Sequence, residues 1–206
     1  MMEAVRNGAW AKTGGWVNPY QTEDNALVLC YDPNFLFGTN VEFAETGAIS
    51  IPFMSYPDLY QSGMTVEMCI DHTYDSSNEQ VNFSSRSESE LTFATQPQYK
   101  RWFGRWSPLT FIGPEVVMDA DITAGNRYAH TLAIGCKNGM ISYLAKDGGE
   151  GYLYDSGVNF TEPRTITKTS FNLLTSRLSF RVYNRVLTQE ELLVRWNADN
   201  SRFYLT

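Results

Sequence analysis

Carboxylate side chains recur at strand spacing in two apolar runs of this 206-residue chain. Glu67 and Asp71 lie in the first run, and Asp119 and Asp121 lie in the second. Alternate residues of a strand share a face, so the two carboxylates of each pair would lie on the same face. Glycoside hydrolysis uses such a pair, one carboxylate to attack and one to protonate the leaving oxygen. The residue midway between Glu67 and Asp71 is a cysteine, so we expect solvent-facing charges on half-buried strands rather than a hydrolytic site.

Histidine and cysteine are scarce, which limits nucleophilic and zinc chemistry. His72 and His130 are the two histidines, no G-x-S-x-G elbow is present, and we expect a structural role for His130. Cys30, Cys69 and Cys136 each lie in an apolar run. Their odd number and the lack of a C-x-x-C spacing argue against a disulfide framework or a zinc site. The sequence therefore predicts buried free thiols and no enzymatic activity.

An aromatic and basic segment around residue 102 carries the candidate binding residues. Sugars present C–H faces that stack on exposed aromatic rings, while arginine side chains hold hydroxyl groups. Strand alternation would also direct some of these rings into the core, which is the competing interpretation. The predicted ligand-binding residues, for carbohydrate or protein, are Tyr99, Arg101, Trp102, Arg105 and Trp106.

Residues 1–24 contain glycine and tryptophan without clear periodicity. Two tryptophans would be unusual in a disordered tail. Trp10 and Trp16 are therefore predicted to anchor this N-terminal arm on other protein subunits of an assembly, with a flexible lead as the alternative.

Charge and hydropathy exclude several classes of partner. The formal net charge is −7, so no basic face is expected for nucleic acid. No run approaches the ~18 apolar residues of a membrane span. The first twenty residues also lack the apolar core of a secretory signal peptide.

The elements that must position these side chains are short strands. From Ala26 onward, short apolar or alternating runs recur between turn residues. Asn138-Gly139 separates two of them and favours a tight hairpin. The pattern predicts an all-β fold, a two-sheet antiparallel sandwich with one short C-terminal helix. Residues 25–206 are expected to form a single domain.

The helix has a complete start signal. Thr188 is a good N-cap, and Glu191 lies three residues on, as in a capping box. Leu187 and Leu192 occupy the positions of a hydrophobic staple. Asn200 is a suitable stop signal.

Three apolar side chains, Leu192, Leu193 and Trp196, are predicted to form the stripe by which the helix covers an edge or end of the sandwich. If the Trp196 ring is buried, its removal would cost about 3–5 kcal/mol. Arg181 and Arg185 flank the preceding turn and are expected to hold loop carbonyls or helix-start carboxylates.

Four segments together resemble the laminin G-like domains of the concanavalin A-like jelly-roll superfamily, especially the bacterial and phage type. The segments are NALVLCYDP (25–33), GAISIPFMSYPDLYQSGMTVEMCID (47–71), NRYAHTLAIGCKNGMISYLAKDGGE (126–150) and LSFRVYNRVLTQEEL (178–192). The resemblance implies a jelly-roll sandwich over roughly residues 25 to 203. Glucanases of this superfamily carry a third carboxylate on the catalytic strand, which both acidic runs lack.

The resemblance also implies a calcium site, since relatives often hold one Ca²⁺ with loop oxygens. The best cluster of hard oxygen ligands consists of Asp71, Asp75 and Asn78, with Glu79 beside them, and Asp119 with Asp121 forms a second. Ordinary loop acids are the alternative.

Two non-catalytic functions are then open. In the first, the protein is a virion component, a capsid or tail decoration or attachment protein assembled in the host cytoplasm. In the second, it is a carbohydrate-binding or adhesion module of a bacterial surface or secreted protein. A glycoside hydrolase is a distant alternative.

Overall fold

The fold is given by a computed structural model that describes most of the chain. The described residues are 20–32, 35–37, 42–43, 48–51, 63–73, 80–85, 89–96, 99–108, 115–119, 122–123, 125–137, 140–149, 169–173 and 177–203. The elements in chain order are β1 (Leu27–Asp32), β2 (Phe35–Phe37), β3 (Glu42–Phe43), β4 (Ala48–Ile51), β5 (Met64–Thr73), β6 (Gln80–Ser85), β7 (Ser89–Gln96), β8 (Arg101–Pro108), β9 (Glu115–Asp119), β10 (Arg127–Lys137), β11 (Met140–Lys146), β12 (Thr169–Leu173), β13 (Arg177–Tyr183) and α1 (Gln189–Phe203).

The strands form two antiparallel sheets, which confirms the predicted all-β class. The first sheet has six strands in the order β11-β10-β5-β13-β1-β2, and the second has seven in the order β3-β4-β12-β6-β7-β8-β9. Within the described residues, α1 is the helix that accompanies them.

Strand β5 lies in the middle of the six-stranded sheet because its residues suit both faces. Met68 stands opposite Leu132 on β10 and Phe180 on β13, and all three are buried. On the other face, Glu67 stands opposite Ala133 and Arg181. The period of two thus places one apolar row and one mixed row on opposite sides of the sheet.

The two sheets face each other where β8 crosses β10 and β11. A Cβ atom at Gly104 on β8 would lie 2.7 Å from Ile134 Cδ1 and 2.8 Å from Leu144 Cδ2. Glycine at this position therefore lets the side chains of Ile134 and Leu144 pack directly on the backbone of β8.

The predicted hairpin joins β10 to β11. Lys137 stands opposite Met140, so two residues connect the strands. These two residues, Asn138 and Gly139, lie outside the described residues.

The helix start is confirmed, and its end and inner face differ from the prediction. The Thr188 amide donates to Glu191 Oε2 at 2.9 Å, and the Glu191 amide donates to Thr188 Oγ1 at 3.3 Å. The predicted stop at Asn200 is wrong, because the helix continues to Phe203. Leu193 is 45% exposed and does not belong to the buried face.

The buried face of α1 is formed by Leu192, Arg195 and Asp199, with Trp196 half-buried beside them. The helix covers the outer face of the six-stranded sheet rather than an edge or end. Thr131 on β10 reaches it there, donating from Oγ1 to Asp199 Oδ2 at 2.7 Å.

An apolar cluster fills the space between this sheet and the helix. It includes residues that precede the first strand, such as Tyr20 and Ala26. The fold therefore takes in part of the predicted arm. The cluster consists of Tyr20, Ala26, Leu27, Cys30, Ala133, Tyr143, Ala145, Tyr183, Leu187 and Leu192.

The three cysteines, Cys30, Cys69 and Cys136, are free and buried, as predicted. Burial raises the pKa of the Cys136 thiol above its ordinary value, so it stays protonated and unreactive.

Candidate functional site

The β7–β8 turn presents an exposed aromatic ring. Tyr99 is 64% exposed, and the Arg101 guanidinium carbon lies 5.0 Å from the centre of its ring. Arg101 Nε donates to Gln96 Oε1 at 2.6 Å, which fixes the guanidinium across the base of the turn. Gln96, Tyr99 and Arg101 together are called the turn site.

Lys100 gives this turn its shape. Its φ of 48° is in the left-handed region, so the chain reverses here and Lys100 itself stays exposed. The turn site therefore stands at the end of the β7–β8 hairpin, where two cationic residues, Lys100 and Arg101, directly follow Tyr99 in the sequence.

Trp102 lies in the core, as the competing interpretation of this segment predicted. Trp102 is 2% exposed. The Trp102 and His130 rings pack edge to face, with their centroids 5.8 Å apart. Lys146 Nζ lies 5.5 Å from its ring centre. The ring is enclosed between the sheets and offers no face to a sugar, because strand alternation turns it inward from Arg101. Trp102 Nε1 has no hydrogen-bond partner in the described part of the chain.

His130 is held by a carboxylate, which supports its predicted structural role. His130 Nδ1 lies 3.0 Å from Asp147 Oδ2, and Asp147 Oδ1 accepts from the Thr131 amide at 3.0 Å. The Asp147 amide in turn donates to the Thr131 carbonyl at 2.8 Å. Asp147 therefore ties the end of β11 to β10.

The remaining predicted site residues lie wholly or partly outside the described residues. Arg105 and Trp106 lie on β8, opposite Thr92 and Leu91 of β7. Their side chains are outside the described residues. The arm residues Trp10 and Trp16, and the calcium candidates Asp75 and Asn78, also lie outside the described residues.

The remaining calcium candidate, Asp71, has a protein cation beside it. Arg127 donates to both carboxylate oxygens of Asp71, at 2.5 Å each. A metal ion at this carboxylate would have to displace the guanidinium. No group of three or more His, Cys, Asp or Glu that could hold a metal occurs among the described residues.

A buried charge cluster of Glu67, Arg181, Arg195 and Asp199 lies between the six-stranded sheet and α1. Arg181 Nη1 and Nη2 donate to Asp199 at 2.7 and 2.6 Å, and Arg181 Nε donates to Glu67 Oε2 at 3.1 Å. The expectation that Glu67 faces solvent is wrong, since it is 1% exposed. The outer face of β5 is covered by the helix, which the sequence pattern did not reveal.

Burial and charge oppose each other in this cluster. Burial raises the pKa of Glu67 above its ordinary value, and Arg181 acts in the opposite direction. Burial alone would lower the pKa of Arg181, but the carboxylates of Asp199 and Glu67 raise it well above its ordinary value. Arg181 therefore stays charged, and its carboxylate partners are occupied by it rather than available to a substrate.

Arg195, a member of the buried charge cluster, and the neighbouring Tyr20 connect the cluster to other elements. Arg195 Nη1 donates to the Glu191 carbonyl at 2.8 Å, and Arg195 Nε donates to Tyr183 Oη at 3.2 Å. Tyr183 Oη donates to the Tyr20 carbonyl at 3.0 Å. The Arg181 guanidinium lies 4.3 Å above the Tyr20 ring. The cluster therefore joins sheet, helix and N-terminal segment.

Sequence reasoning missed Arg195 and Asp199. One signal was available: with Leu192 they are spaced at i, i+3 and i+7, which puts all three on one face of a helix.

Arg185 is confirmed as a clamp on the helix start. It donates to Glu191 through Nη1 and Nη2 at 2.8 and 2.7 Å, and to Asp24 through Nε and Nη2 at 2.7 and 2.9 Å. These hydrogen bonds from Arg185 lower the pKa of both carboxyls. Arg181 holds carboxylates as well, although those of β5 and the last turns of α1 rather than the helix start.

The second acidic run lies only partly within the described residues. Asp119 lies on β9 opposite Arg101. Asp121 is outside the described part of the chain. No helix in that part is long and apolar enough to cross a membrane.

Comparison with known proteins gives structural neighbours only. No family model matches the chain. No curated protein matches its sequence.

Several solved structures share the fold at low sequence identity. The binding domain of botulinum neurotoxin DC, solved with rat synaptotagmin II, has a TM-score of 0.60 and 11% identity over 86% of this chain and 52% of its own. A structure of botulinum neurotoxin type C, whose cell entry depends on interaction with two ganglioside molecules, has a TM-score of 0.59 and 10% identity over 85% of this chain and 51% of its own. The DC binding domain with SialylT has a TM-score of 0.58 and 10% identity over 85% and 52%.

The chain therefore spans about half the length of these toxin binding domains. At identities of 10–11%, the similarity between this chain and the toxin domains concerns the fold alone.

Proposed function

We propose that the protein is a non-catalytic carbohydrate-binding or adhesion module that recognises glycans through the turn site. The observation that carries the proposal is the exposed ring of Tyr99 with Arg101 fixed beside it. The fold that we expect to present it is a concanavalin A-like jelly roll, the lectin architecture that the sequence resembles.

The chemistry of the turn site suits a sugar. A pyranose ring stacks its C–H face on an aromatic ring, and its hydroxyl groups need donors and acceptors at the rim. Tyr99 supplies the ring, Arg101 supplies guanidinium donors, and Lys100 supplies an exposed ammonium group. Because Gln96 already fixes Arg101, little side-chain entropy remains to be lost on binding.

The structural neighbours favour this function over the virion one. Two of those toxin domains are in complex with synaptotagmin II or SialylT, and cell entry of the type C toxin depends on interaction with two ganglioside molecules. Since this chain matches about half of each domain, the transfer of glycan binding to it is part of the proposal. The virion decoration function and the anchoring of the arm on other subunits stay predictions.

The absence of catalysis is part of the same proposal. In the buried charge cluster, Glu67 and Asp199 are both bonded to Arg181 beneath α1. Hydrolysis of a glycosidic bond would need both carboxylates at a surface that the sugar can reach.

A glycan array that includes sialylated and neutral oligosaccharides tests the proposal. We expect hits that Tyr99→Ala abolishes and Tyr99→Phe retains, because phenylalanine keeps the stacking ring. Hits that survive Tyr99→Ala would place the binding surface elsewhere. Turnover of a bound oligosaccharide by the purified protein would contradict the non-catalytic function.

A further inference from the structure

The Arg101 side chain at the turn site is bonded to a neutral partner within the described residues. Its Nε donates to Gln96 Oε1 at 2.6 Å, and the guanidinium carbon lies 5.0 Å from the centre of the Tyr99 ring. Nη1 and Nη2 have no hydrogen-bond partner in the described part of the chain. The edge that carries these two nitrogens matches the paired oxygens of a carboxylate or a sulfate group.

Other arginines of the fold are used differently. Arg127, Arg181 and Arg185 each donate to at least one carboxylate of the protein. Their charge is compensated within the fold, and the carboxylate occupies donors that an outside ligand would need. Arg101 is instead held by an amide, which orients the guanidinium without neutralising its charge.

Lys100 adds a second cation to the turn. It is exposed and takes part in no ion pair among the described residues. Asp119 stands opposite Arg101 on β9, and its side chain lies outside the described residues. Lys100, Arg101 and Asp119 together still carry a net positive charge, in a chain whose formal net charge is −7. A local excess of one sign attracts a ligand of the other sign.

We propose that the turn site selects acidic glycans, whose sugars bear a carboxylate or a sulfate group. This inference rests on the glycan-binding function proposed above and names the class of its ligand. One sugar stacks on the Tyr99 ring, and the acidic group of that sugar or of its neighbour accepts from Nη1 and Nη2 of Arg101. The exposed ammonium group of Lys100 adds attraction at the rim.

A glycan array with matched pairs tests the proposal on the full-length protein. The array carries sialylated, uronic-acid-containing and sulfated oligosaccharides, each beside the neutral oligosaccharide that lacks the acidic group. Calorimetry on the strongest pair should show at least about tenfold tighter binding of the acidic member, the ratio expected from one charge-assisted hydrogen bond. The ratio should shrink as the salt concentration rises from about 0.05 M to about 0.5 M, because salt screens exposed charges. The three acidic classes distinguish a carboxylate ligand from a sulfate ligand.

Two lysines provide a matched pair of variants. Lys137 is also exposed and lies at the far end of β10, seven residues or about 23 Å from His130, whose ring packs on Trp102 beside the turn site. Lys100→Gln and Lys137→Gln change the net charge equally. We expect Lys100→Gln to weaken acidic binding about threefold and Lys137→Gln to leave it unchanged, since screening limits the effect of a distant charge.

Arg101→Lys tests the guanidinium edge separately from its charge. Lysine keeps the positive charge and loses the paired Nη donors. Affinity for the acidic oligosaccharide should fall about tenfold, while affinity for its neutral counterpart falls less. Binding of the neutral oligosaccharide by Arg101→Lys then shows that the turn is still folded. Asp119→Asn removes the neighbouring carboxylate and should strengthen acidic binding.

Equal binding of acidic and neutral oligosaccharides would overturn the acidic ligand class and leave the proposed glycan-binding function intact. An acidic preference that survives both Arg101→Lys and Lys100→Gln would overturn the placement of the acidic group at the turn site. Weaker acidic binding by Asp119→Asn would also contradict the proposal, because the attraction would not be electrostatic. The absence of binding to every oligosaccharide would contradict the proposed function itself.

Discussion

The interface between α1 and the six-stranded sheet differs from the turn site in how its charged groups are used. Beneath the helix, Arg181 is fully buried and bonded to two carboxylates. At the turn, Arg101 has one amide partner and an exposed ring beside it. Beneath the helix, the charged groups are bonded to one another within the fold. At the turn site, polar and apolar surface stays in contact with solvent. Charged residues therefore hold the fold together beneath the helix, while those of the turn site stay available for the recognition proposed above.

Removal of Asp199 is the strongest way to test this contrast. Asp199→Ala leaves the buried Arg181 without its closest carboxylate, so we expect a loss of about 3–5 kcal/mol in the free energy of unfolding. Urea titration followed by circular dichroism measures it. Asp24→Ala, which affects an exposed ion pair, is the control and should have a far smaller effect. A loss below about 1 kcal/mol for Asp199→Ala would show that the cluster does not hold the helix.

Trp196→Ala tests how far packing, rather than charge, holds α1. The ring is half-buried, so the cost expected for a fully buried tryptophan is reduced to about 1–3 kcal/mol. The same urea titration measures this loss. Trp196→Phe should recover most of it. If Trp196→Ala leaves the free energy of unfolding unchanged, the buried charge cluster rather than the Trp196 ring holds α1 on the sheet.

Thr188→Ala tests the local contribution of the helix start. The variant removes the acceptor for the Glu191 amide, and we expect a loss of about 1 kcal/mol. Thr188→Asn keeps a capping oxygen and serves as the control. Equal stability of the alanine and asparagine variants would mean that tertiary contacts alone define the start of α1.

The pH dependence of stability tests the Arg185 clamp. The pKa values of Asp24 and Glu191 are lowered in the folded state, chiefly by hydrogen bonds from Arg185. Their contribution is therefore present above the ordinary carboxyl pKa and is lost as the pH falls through the lowered values. We expect Arg185→Met to be less stable than the unmodified protein at pH 7, with the difference shrinking toward pH 3. A difference that stays constant over this range would exclude the two carboxylates as its source.

Tyr99→Ala should have the smallest effect on the fold. The ring is exposed, so the free energy of unfolding is expected to change by less than about 0.5 kcal/mol. Glycan affinity measured by calorimetry should nevertheless fall at least about tenfold, which corresponds to about 1.4 kcal/mol of binding free energy. A large loss of stability would instead make Tyr99 a structural residue and remove the contrast between the two regions.

Local features of the fold were predictable from the sequence, and long-range burial was not. Thr188 and Glu191 carry their interaction within four residues, so the sequence pattern reveals it. Glu67 and Arg181 are 114 residues apart and pair only because β5 and β13 are neighbours. In the sequence, each appears as a single charge in an alternating strand, which is the pattern of a residue that faces solvent.

The candidate site shows the same limit. The strand in the aromatic and basic segment was predicted correctly, but its neighbouring rings Trp102 and Phe103 are both buried, and the sequence could not tell which of them faces the other sheet. Trp102 is enclosed because β10 and β11 pass across it, at Gly104 and His130. Tyr99 stays exposed because it belongs to the turn rather than to β8.

The contact between the buried Tyr20 and Arg202 brings the first and last parts of the described chain together. A unit whose two ends meet can be transferred between proteins, inserted into a loop of a host or circularly permuted without separating its sheets. In this chain the meeting point is the hydrogen-bonded pair of Tyr20 and Arg202, next to the buried charge cluster. A graft that keeps both residues therefore keeps the contact that holds its two ends together.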